Sequence, residues 1–465
     1  MGKTVHITSL GCARNETDSE ELAARLALDG FEMVEDPGSA DVLLVNTCGF
    51  IDAAKKDSID TLLDFDPGER EVVAVGCLAE RYGAELAGEL PEVSVLGFDD
   101  YPAIGARLRD ILSGVRPTPH QPRDRRLLLP LTPASRAAHA NAFTPGHALP
   151  GSAAPASGPR VLRKRLSHSP SAPLKIASGC DRHCTFCAIP AFRGAYLSRE
   201  ISHIVAEARW LAGQGVKEAV LVSENSTSYG KDLGVNLTAL LRALDESQAL
   251  EWIRVSYLQP AEMRPDLIEA IAGSERVLPY FDLPFQHAAA GVLRQMRRFG
   301  DAESFLALLA QIRQIDPLAG VRSNFIVGFP GEREQDLELL ASFIEAAEFD
   351  AVGIFGYSDE EGTQAAGLGA KLSEAEIADR VDWLSGLAHE LASTRAADRL
   401  GERVRILVEE RTEEGLFGRA AHQGPESDGV TAVVGQPSDL RVGDLVYARV
   451  TGSDGIDLAA VQELQ

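Results

Sequence analysis

No run of apolar residues in this 465-residue chain approaches the length needed to cross a bilayer, so a membrane-spanning protein is not expected. The first ten residues, MGKTVHITSL, hold one basic residue and a short strand-like pattern, without a cleavage-site signature. A secretory leader is therefore not read there, and the expected location is the cytoplasm. Cysteine is scarce, six residues in all. In a reducing compartment, cysteines set close together point to metal ligation or catalysis rather than to disulfides. Acid is nearly missing from residues 116–170, where nine Lys and Arg stand against Asp124 alone. The remainder is thus more acidic than the net charge of −24 suggests. Such a body is soluble, repels nucleic acid at long range and attracts basic partners.

What is present divides the chain into four stretches. Residues 1–115 alternate apolar strands with helical patterns: TVHITSL before DSEELAARLALDG, ADVLLVN before IDAAKKDSIDTLLDF, REVVAVG before LAERYGAELAGEL. This rhythm predicts an open parallel α/β sheet with right-handed crossovers. Thr17 with Glu20, and Asp18 with Glu21, offer capping boxes for the first helix, and Gly30 ends it. Residues 116–172 are rich in Pro, Ala, Ser, His and Arg and are expected to form a flexible linker. Its basic triplet, Arg163, Lys164 and Arg165, is expected to be solvated rather than bound to RNA or an acidic partner.

From 173 to 395 six strand candidates recur: PLKIAS, EAVLVS, WIRVSY, PYFDLPF, VRSNFIVG and DAVGIFGY. Helical stretches separate them, and a long helix over about 373–400 follows, which predicts a partial (β/α)6 barrel. Residues 396–465 consist of short strands split by Gly and Asp turns, the pattern of a small antiparallel β-barrel.

Three of the six cysteines occupy one loop, GCDRHCTFC, as Cys180, Cys184 and Cys187. Iron–sulfur cubanes usually take four thiolates, so three leave one iron open, which suits catalysis. A structural zinc site completed by His183 is the plainer alternative. Cys180 follows the first barrel strand at its C-terminal end, where barrel enzymes place their chemistry. The other cysteines, Cys12, Cys48 and Cys77, each lie just past a predicted strand of the N-terminal sheet. Such strand ends share one edge of an open parallel sheet, so the three thiols should converge beside helix starts, whose positive potential favours thiolates. The plain alternative is three small buried hydrophobes. A second cluster with an open iron is the expectation.

The CxxxCxxC loop, with Phe186 before its third cysteine, resembles the signature of radical S-adenosylmethionine enzymes. The resemblance implies that Cys180, Cys184 and Cys187 bind a 4Fe-4S cluster whose open iron is chelated by S-adenosyl-L-methionine, with Phe186 beside the adenine. VGFPGE, with Gly328 and Gly331, is similar to the stretch that supports the cofactor's nucleoside. SEN, with Glu224 and Asn225, resembles the triplet that receives its amino group. LPFQH, ending at His287, could line the cavity, where a histidine is as readily a packed wall residue.

With both trios, the whole chain outside the linker resembles the methylthiotransferases, which join an N-terminal cluster domain, a radical S-adenosylmethionine domain and a TRAM-type barrel. The resemblance implies two 4Fe-4S clusters, S-adenosyl-L-methionine and a reducing electron donor. SLGCARNETDSE, VNTCGFIDAAKKDS and GCDRHCTFCAIPAFRG look like the branch that modifies the β-carbon of an aspartate in a small-subunit ribosomal protein. The branch acting on transfer-RNA adenosine usually shows Gln after the first cysteine, where this chain has Ala13, and a basic residue soon after the second. The last 70 residues carry thirteen acids against seven Lys/Arg, and their only aromatics are Phe417 and Tyr447. An RNA-reading barrel needs a positive groove and stacking rings. A basic ribosomal protein is the expected partner, with nucleic acid disfavoured. The rivals are the transfer-RNA enzyme, a non-catalytic iron–sulfur carrier or redox sensor, and an RNA-binding zinc protein.

Overall fold

The computed structural model describes residues 2–65, 70–128, 143–147, 161–425, 427–435 and 439–463. Of the expected linker, residues 129–142 and 148–160 fall outside them, including Arg136 and Arg160.

The N-terminal unit runs β1 (Thr4–Ser9), α1 (Ala13–Leu28), β2 (Glu32–Met33), β3 (Val42–Thr47), α2 (Asp52–Asp64), β4 (Glu71–Val75), α3 (Gly76–Glu89), β5 (Ser94–Val95) and α4 (Ile104–Leu112). Its sheet has the order β2-β1-β3-β4-β5 and every pairing is parallel. Both faces are covered, which explains the unbroken apolar run of β3. Val42, Leu44, Val73 and Val75 pack on one face, and Leu43, Val45, Val72 and Ala74 on the other. The two-residue strands β2 and β5 are too short to announce themselves in the sequence.

Helix α1 departs from expectation. It begins at Ala13, with Cys12 as its N-cap, one turn before the expected capping boxes. Asp18, Glu20 and Glu21 therefore lie inside the helix and are buried. Two of them have partners distant in sequence, Asp18 with Lys175 and Arg193 and Glu20 with Arg163, while Glu21 pairs with Arg25 one turn on. Tertiary charge pairing has claimed residues that a local motif assigns to capping. Arg163 also pairs with Glu207 at 2.8 Å and is buried, so the expectation of a solvated basic triplet fails at this residue. It fastens the end of the linker between α1 and the barrel.

The central unit begins with β6 (Ser171–Lys175) and a small hairpin of β7 (Ala177–Ser178) and β8 (Leu197–Ser198), which encloses α5 (Ile189–Arg193). It continues through α6 (Ile201–Gly213), β9 (Glu218–Val222), α7 (Leu237–Ser247), β10 (Trp252–Val255), α8 (Pro265–Ala272), β11 (Tyr280–Asp282), α9 (Ala290–Gln295), α10 (Ala302–Ile315), β12 (Gly320–Val327), α11 (Glu334–Ala347), β13 (Ala351–Gly356) and α12 (Glu374–Asp398). Strands β6, β9 and β10 form one parallel sheet and β11, β12 and β13 another. Backbone bonds between Ile253 and residues 276 and 278 join them into an open arc of six strands. Phe285, Phe305, Phe325, Phe343 and Phe349 form one aromatic cluster in its core.

The C-terminal unit is a closed barrel of β14 (Arg403–Arg411), β15 (Leu416–Ala420), β16 (Thr431–Val434), β17 (Leu445–Asp454) and β18 (Asp457–Gln462). All pairings are antiparallel except β16 with β18, which runs parallel and closes the barrel. It is anchored through Arg419, which meets buried Glu218 of β9, and through Tyr280, whose hydroxyl lies 2.5 Å from Asp428.

Candidate active site

The parallel sheet brings Cys12, Cys48 and Cys77 to one edge. Cys12 caps α1, Cys48 follows β3 directly, and Cys77 sits in the first turn of α3. Two glycines permit the approach. A Cβ on Gly11 (φ +87°) would come within 2.7 Å of the Cys48 side chain, and one on Gly76 (φ +91°) within 2.2 Å of Asn46 Oδ1. Asn15 then ties the three loops together. Its amide nitrogen donates to Leu10 O at 2.9 Å and Thr47 O at 3.1 Å, and its Oδ1 stands 3.6 Å from Cys77 Sγ. Ser58 holds the Cys48 backbone by accepting from its N–H and donating to its carbonyl.

The charges around this trio are unequal. Burial works to raise the Cys12 thiol, but Arg14 and Arg193 together hold it below its ordinary value. Burial pushes Cys48 up and Cys77 up to about 11. Arg193 donates to Cys77 Sγ at 3.1 Å, to Asn15 Oδ1 at 2.9 Å and to Asp18 at 2.9 Å. It stands in α5, immediately beyond the second cysteine loop.

That loop carries Cys180, Cys184 and Cys187 between β7 and α5. Cys180 N–H donates to Gly194 O, and Thr185 is clamped by Gln295 O and Met296 O. Arg182 N–H approaches Cys180 Sγ at 3.4 Å, and the Arg298 guanidinium reaches Cys184 Sγ at 3.8 Å. Burial raises Cys180 strongly and Cys187 to about 12. Phe186 packs beside Ala289, Met296 and Phe329, the last of these within the GFPGE turn. Gly328 and Gly331 both have positive φ in that turn. Glu332 accepts from Gly328 N–H and pairs with Arg380.

A charged bridge links the surroundings of the two trios. Arg14, two residues beyond Cys12, donates to Ser223 O at 3.0 Å, lies 3.7 Å from the Glu224 carboxylate and stacks over Tyr257. Its charge is felt at Cys12 and Cys48 on one side and at Cys187 on the other. Among the described residues Glu224 accepts no hydrogen bond at either oxygen, although its side chain is only 2 % exposed. Asp282 Oδ1 and Asn324 Oδ1, on barrel strands, are also buried without partners among the described residues. Asn225 differs: its amide is engaged with Ser228 and Thr227 of its own loop. His287 is a wall residue, fully buried, whose Nδ1 accepts from two backbone N–H groups while Nε2 faces Glu332 at 3.4 Å.

Among the described residues no three His, Cys, Asp or Glu side chains converge closely enough for a single metal ion. The donor chemistry is thiolate only, three per group, and thiolates of a cubane bind separate irons, so they need not meet at one point. The unpartnered carboxylate and amide oxygens in the barrel supply acceptors for the ammonium and hydroxyl groups of a polar cofactor. The residues fit both groups. Sequence reasoning missed Arg14, Asn15, Arg193 and Arg298; nearness to a cysteine is the only local signal for the first three, and Arg298, 114 positions from Cys184, has none.

Three known families match successive parts of the chain: the uncharacterised protein family UPF0004 over residues 4–97, the radical SAM superfamily over 174–344 and the TRAM domain over 400–462. Among curated proteins, the ribosomal protein uS12 methylthiotransferase RimO of a Nocardioides species is 59% identical, covering 98% of this chain and 96% of that protein. The proteins of the same name from Cutibacterium acnes and Streptomyces coelicolor are 57% and 56% identical, with 98% of this chain covered in each case and 97% and 96% of theirs. The chain belongs to the RimO family of radical SAM methylthiotransferases. Among solved structures, the radical S-adenosylmethionine methyltransferase TsrM from Kitasatospora setae aligns with a TM-score of 0.53 at 15% identity, over 77% of this chain and 75% of that one. At that identity the likeness is one of fold. The RimO family assignment accords with the order of units seen here, an open cluster-domain sheet, a six-stranded arc and a TRAM barrel. No described helix is long and apolar enough to cross a membrane.

Proposed function

We propose that this protein adds a methylthio group to the β-carbon of an aspartate in ribosomal protein uS12. The observation that carries the reading is Arg14, which pairs with Glu224 and acts on cysteines of both trios. Cys12, Cys48 and Cys77 hold the auxiliary 4Fe-4S cluster, and Cys180, Cys184 and Cys187 hold the radical SAM cluster. When bound, these clusters and S-adenosyl-L-methionine supply homolytic activation of a carbon–hydrogen bond and a carrier for the sulfur.

The chain's own residues fix where that chemistry happens. Glu224 receives the cofactor's ammonium group, and Asn225 shapes the loop that presents it. Phe186 and the turn bearing Gly328 and Gly331 form an apolar and backbone cradle for the nucleoside, keeping water from the reacting carbon. Arg14 and Arg193 place two fixed cations against the auxiliary trio, where they balance thiolate charge and orient an anionic sulfur. Arg193 is buried and Arg14 largely so, and each is held by several partners, so they need no reorganisation when charge moves.

The barrel favours a basic protein over RNA. Its cavity of about 520 Å³ is lined by Glu410, Glu413 and Glu414 beside Phe417. The other aromatic, Tyr447, is covered by Arg403 at 4.2 Å. Among the described residues, five of the seven arginines in 396–465 enter ion pairs, namely Arg399, Arg403, Arg405, Arg419 and Arg449. Strongly basic ribosomal proteins suit such a surface.

Anaerobically reconstituted enzyme, supplied with S-adenosyl-L-methionine, reductant and either uS12 or transfer RNA, tests the reading by mass spectrometry of both substrates. The aspartate-bearing uS12 peptide should gain one methylthio group in place of hydrogen. A gain confined to adenosine of the RNA would sink it.

A further inference from the structure

Tyr257 holds a backbone conformation that residues other than glycine rarely adopt, with φ at +59°. Such strain persists only where the surroundings over-determine it, and it gathers at functional sites. Here both backbone groups are held. The N–H donates to Asp282 Oδ2 at 2.8 Å, and the carbonyl accepts from Ser226 N–H at 3.1 Å. Strand β10 has ended at Val255, and the Tyr257 ring comes to lie beneath the Arg14 guanidinium, 5.0 Å from the ring centroid. A phenylalanine would stack there equally well, so the stacking leaves the hydroxyl unused. Among the described residues that hydroxyl enters no hydrogen bond. Burial, opposed by Arg14 and aided by Cys12 and Asp282, pushes the phenol up to about 12, which keeps it a donor at neutral pH.

Arg14 also has donors to spare. Among the described residues it makes one hydrogen bond, to Ser223 O at 3.0 Å, and its Nε stands 3.7 Å from Glu224, beyond hydrogen-bond reach. A guanidinium carries five N–H donors in one plane. Once Glu224 takes the cofactor's ammonium group, that carboxylate is shared between two cations, and Arg14 keeps charge for another anion. Asp282, the other carboxyl at this point, is pushed toward its neutral form by burial. A planar cation from the N-terminal unit and a neutral donor from the barrel thus stand side by side. Arg14 feels Cys12 and Glu224 alike, so the pair lies where the auxiliary trio and the cofactor's end of the barrel adjoin.

We propose that Arg14 and Tyr257 together bind the side-chain carboxylate of the target aspartate, choosing aspartate over asparagine and fixing which carbon loses hydrogen. The inference rests on the functional reading above. In aspartate the carboxylate carbon is bonded directly to the β-carbon, about 1.5 Å away, so holding the carboxylate at two points fixes the reacting carbon. An asparagine would turn an N–H group toward the donors and leave the cation unpaired, which is how a site built on hydrogen bonds rejects a close analogue.

The test uses the reconstituted holoenzyme with fluorescently labelled uS12 and with a uS12 whose target aspartate is asparagine. Anisotropy gives each Kd with S-adenosyl-L-methionine bound and both clusters oxidised, so that no turnover intervenes. The wild type should bind the aspartate form at least about tenfold tighter. Tyr257→Phe, which keeps the ring beneath Arg14, should narrow that preference about threefold. Arg14→Gln should abolish it, and Arg14→Lys should restore part of it. Under reducing turnover with β-dideuterated aspartate in uS12, Tyr257→Phe should release more unlabelled 5′-deoxyadenosine per methylthio group than the wild type, at an unchanged KM for S-adenosyl-L-methionine. A wild-type preference for aspartate in Tyr257→Phe overturns the proposal. So does an equal loss of affinity for both uS12 forms, the mark of a merely structural role. A raised KM for S-adenosyl-L-methionine with the preference intact also overturns it, placing the pair on the cofactor. A wild type that modifies transfer RNA and leaves uS12 untouched overturns the functional reading itself, whereas one that modifies uS12 while Tyr257→Phe discriminates equally well overturns this inference alone.

Discussion

Arg14 of the N-terminal unit lies 3.7 Å from Glu224 at the mouth of the barrel, with Tyr257 beneath its guanidinium. Three elements from two units thus meet on one cation, whose charge acts on both groups of thiols. Removing Arg14 leaves the Glu224 charge buried, which costs on the order of 3–5 kcal/mol. Glu224→Gln keeps the shape and deletes the charge that receives the cofactor's ammonium. It should raise the KM for S-adenosyl-L-methionine at least about tenfold, the equivalent of roughly 1.4 kcal/mol. Arg14→Ala should instead uncouple the reaction: cofactor cleavage continues while transfer to uS12 falls. Parallel assay of 5′-deoxyadenosine and modified peptide distinguishes the two, and equal losses in both products would contradict the assigned roles.

The TRAM barrel is held by a buried carboxylate. Glu218 accepts from Arg254 at 2.7 Å, from Ser171 at 2.8 Å and from Arg419 of the barrel. Burial works to raise its pKa, yet Arg419 and Arg254 overcome this and hold it down to about 2. A carboxyl depressed in the folded state adds stability above its unfolded pKa, near 4.5, and loses it as pH falls toward 2. The span corresponds to a contribution on the order of 3 kcal/mol. Thermal unfolding followed from pH 6 to pH 3 should show the wild type losing Tm faster than Glu218→Gln, which lacks the ionisable group. Parallel curves would remove Glu218 from the acid transition.

The cysteines and strands were legible because their signals are local. VLLVNT and EVVAV are buried on both faces and read as continuous apolar runs, and a cysteine just past each is visible by inspection. Asp18 and Glu20 escape a local reading for the opposite reason. A capping box is scored within four residues, whereas Asp18 answers to Lys175 and Arg193, 157 and 175 positions away. Arg193 was likewise invisible, since what makes it part of the site is its contact with Cys77, 116 positions away. His287 could be read either as a wall residue or as a participant, and its two accepted backbone bonds place it in the wall.

Arg193 joins both units at the auxiliary trio. It contacts Cys77, Asn15 and Asp18 and stacks over Phe98 at 4.9 Å. Arg193→Lys retains a charge but loses the planar fork that serves three acceptors at once. The variant should fold and bind the radical SAM cluster, while the electron paramagnetic resonance of the reduced auxiliary cluster shifts. Spectra identical to wild type would show that Arg193 does not act on that cluster.

Gly11 offers the sharpest separation of the two trios. Its φ of +87° is costly for any residue with a side chain, about 1–2 kcal/mol for an alanine. Beyond that conformational cost, the new methyl would lie 2.7 Å from both Cβ and Sγ of Cys48, too close to be relieved by rotating one atom away. The Cys12 loop and the Cys48 loop must then part, and thiolates that are moved apart cannot serve one cubane. The second cysteine loop, held by Gly194, Gln295 and Met296, has no part in this contact. Gly11→Ala should therefore hold about half the wild-type iron, cleave S-adenosyl-L-methionine and transfer no sulfur. Full iron content with normal transfer would mean that the two loops tolerate separation and that the N-terminal trio is not the sulfur-bearing site.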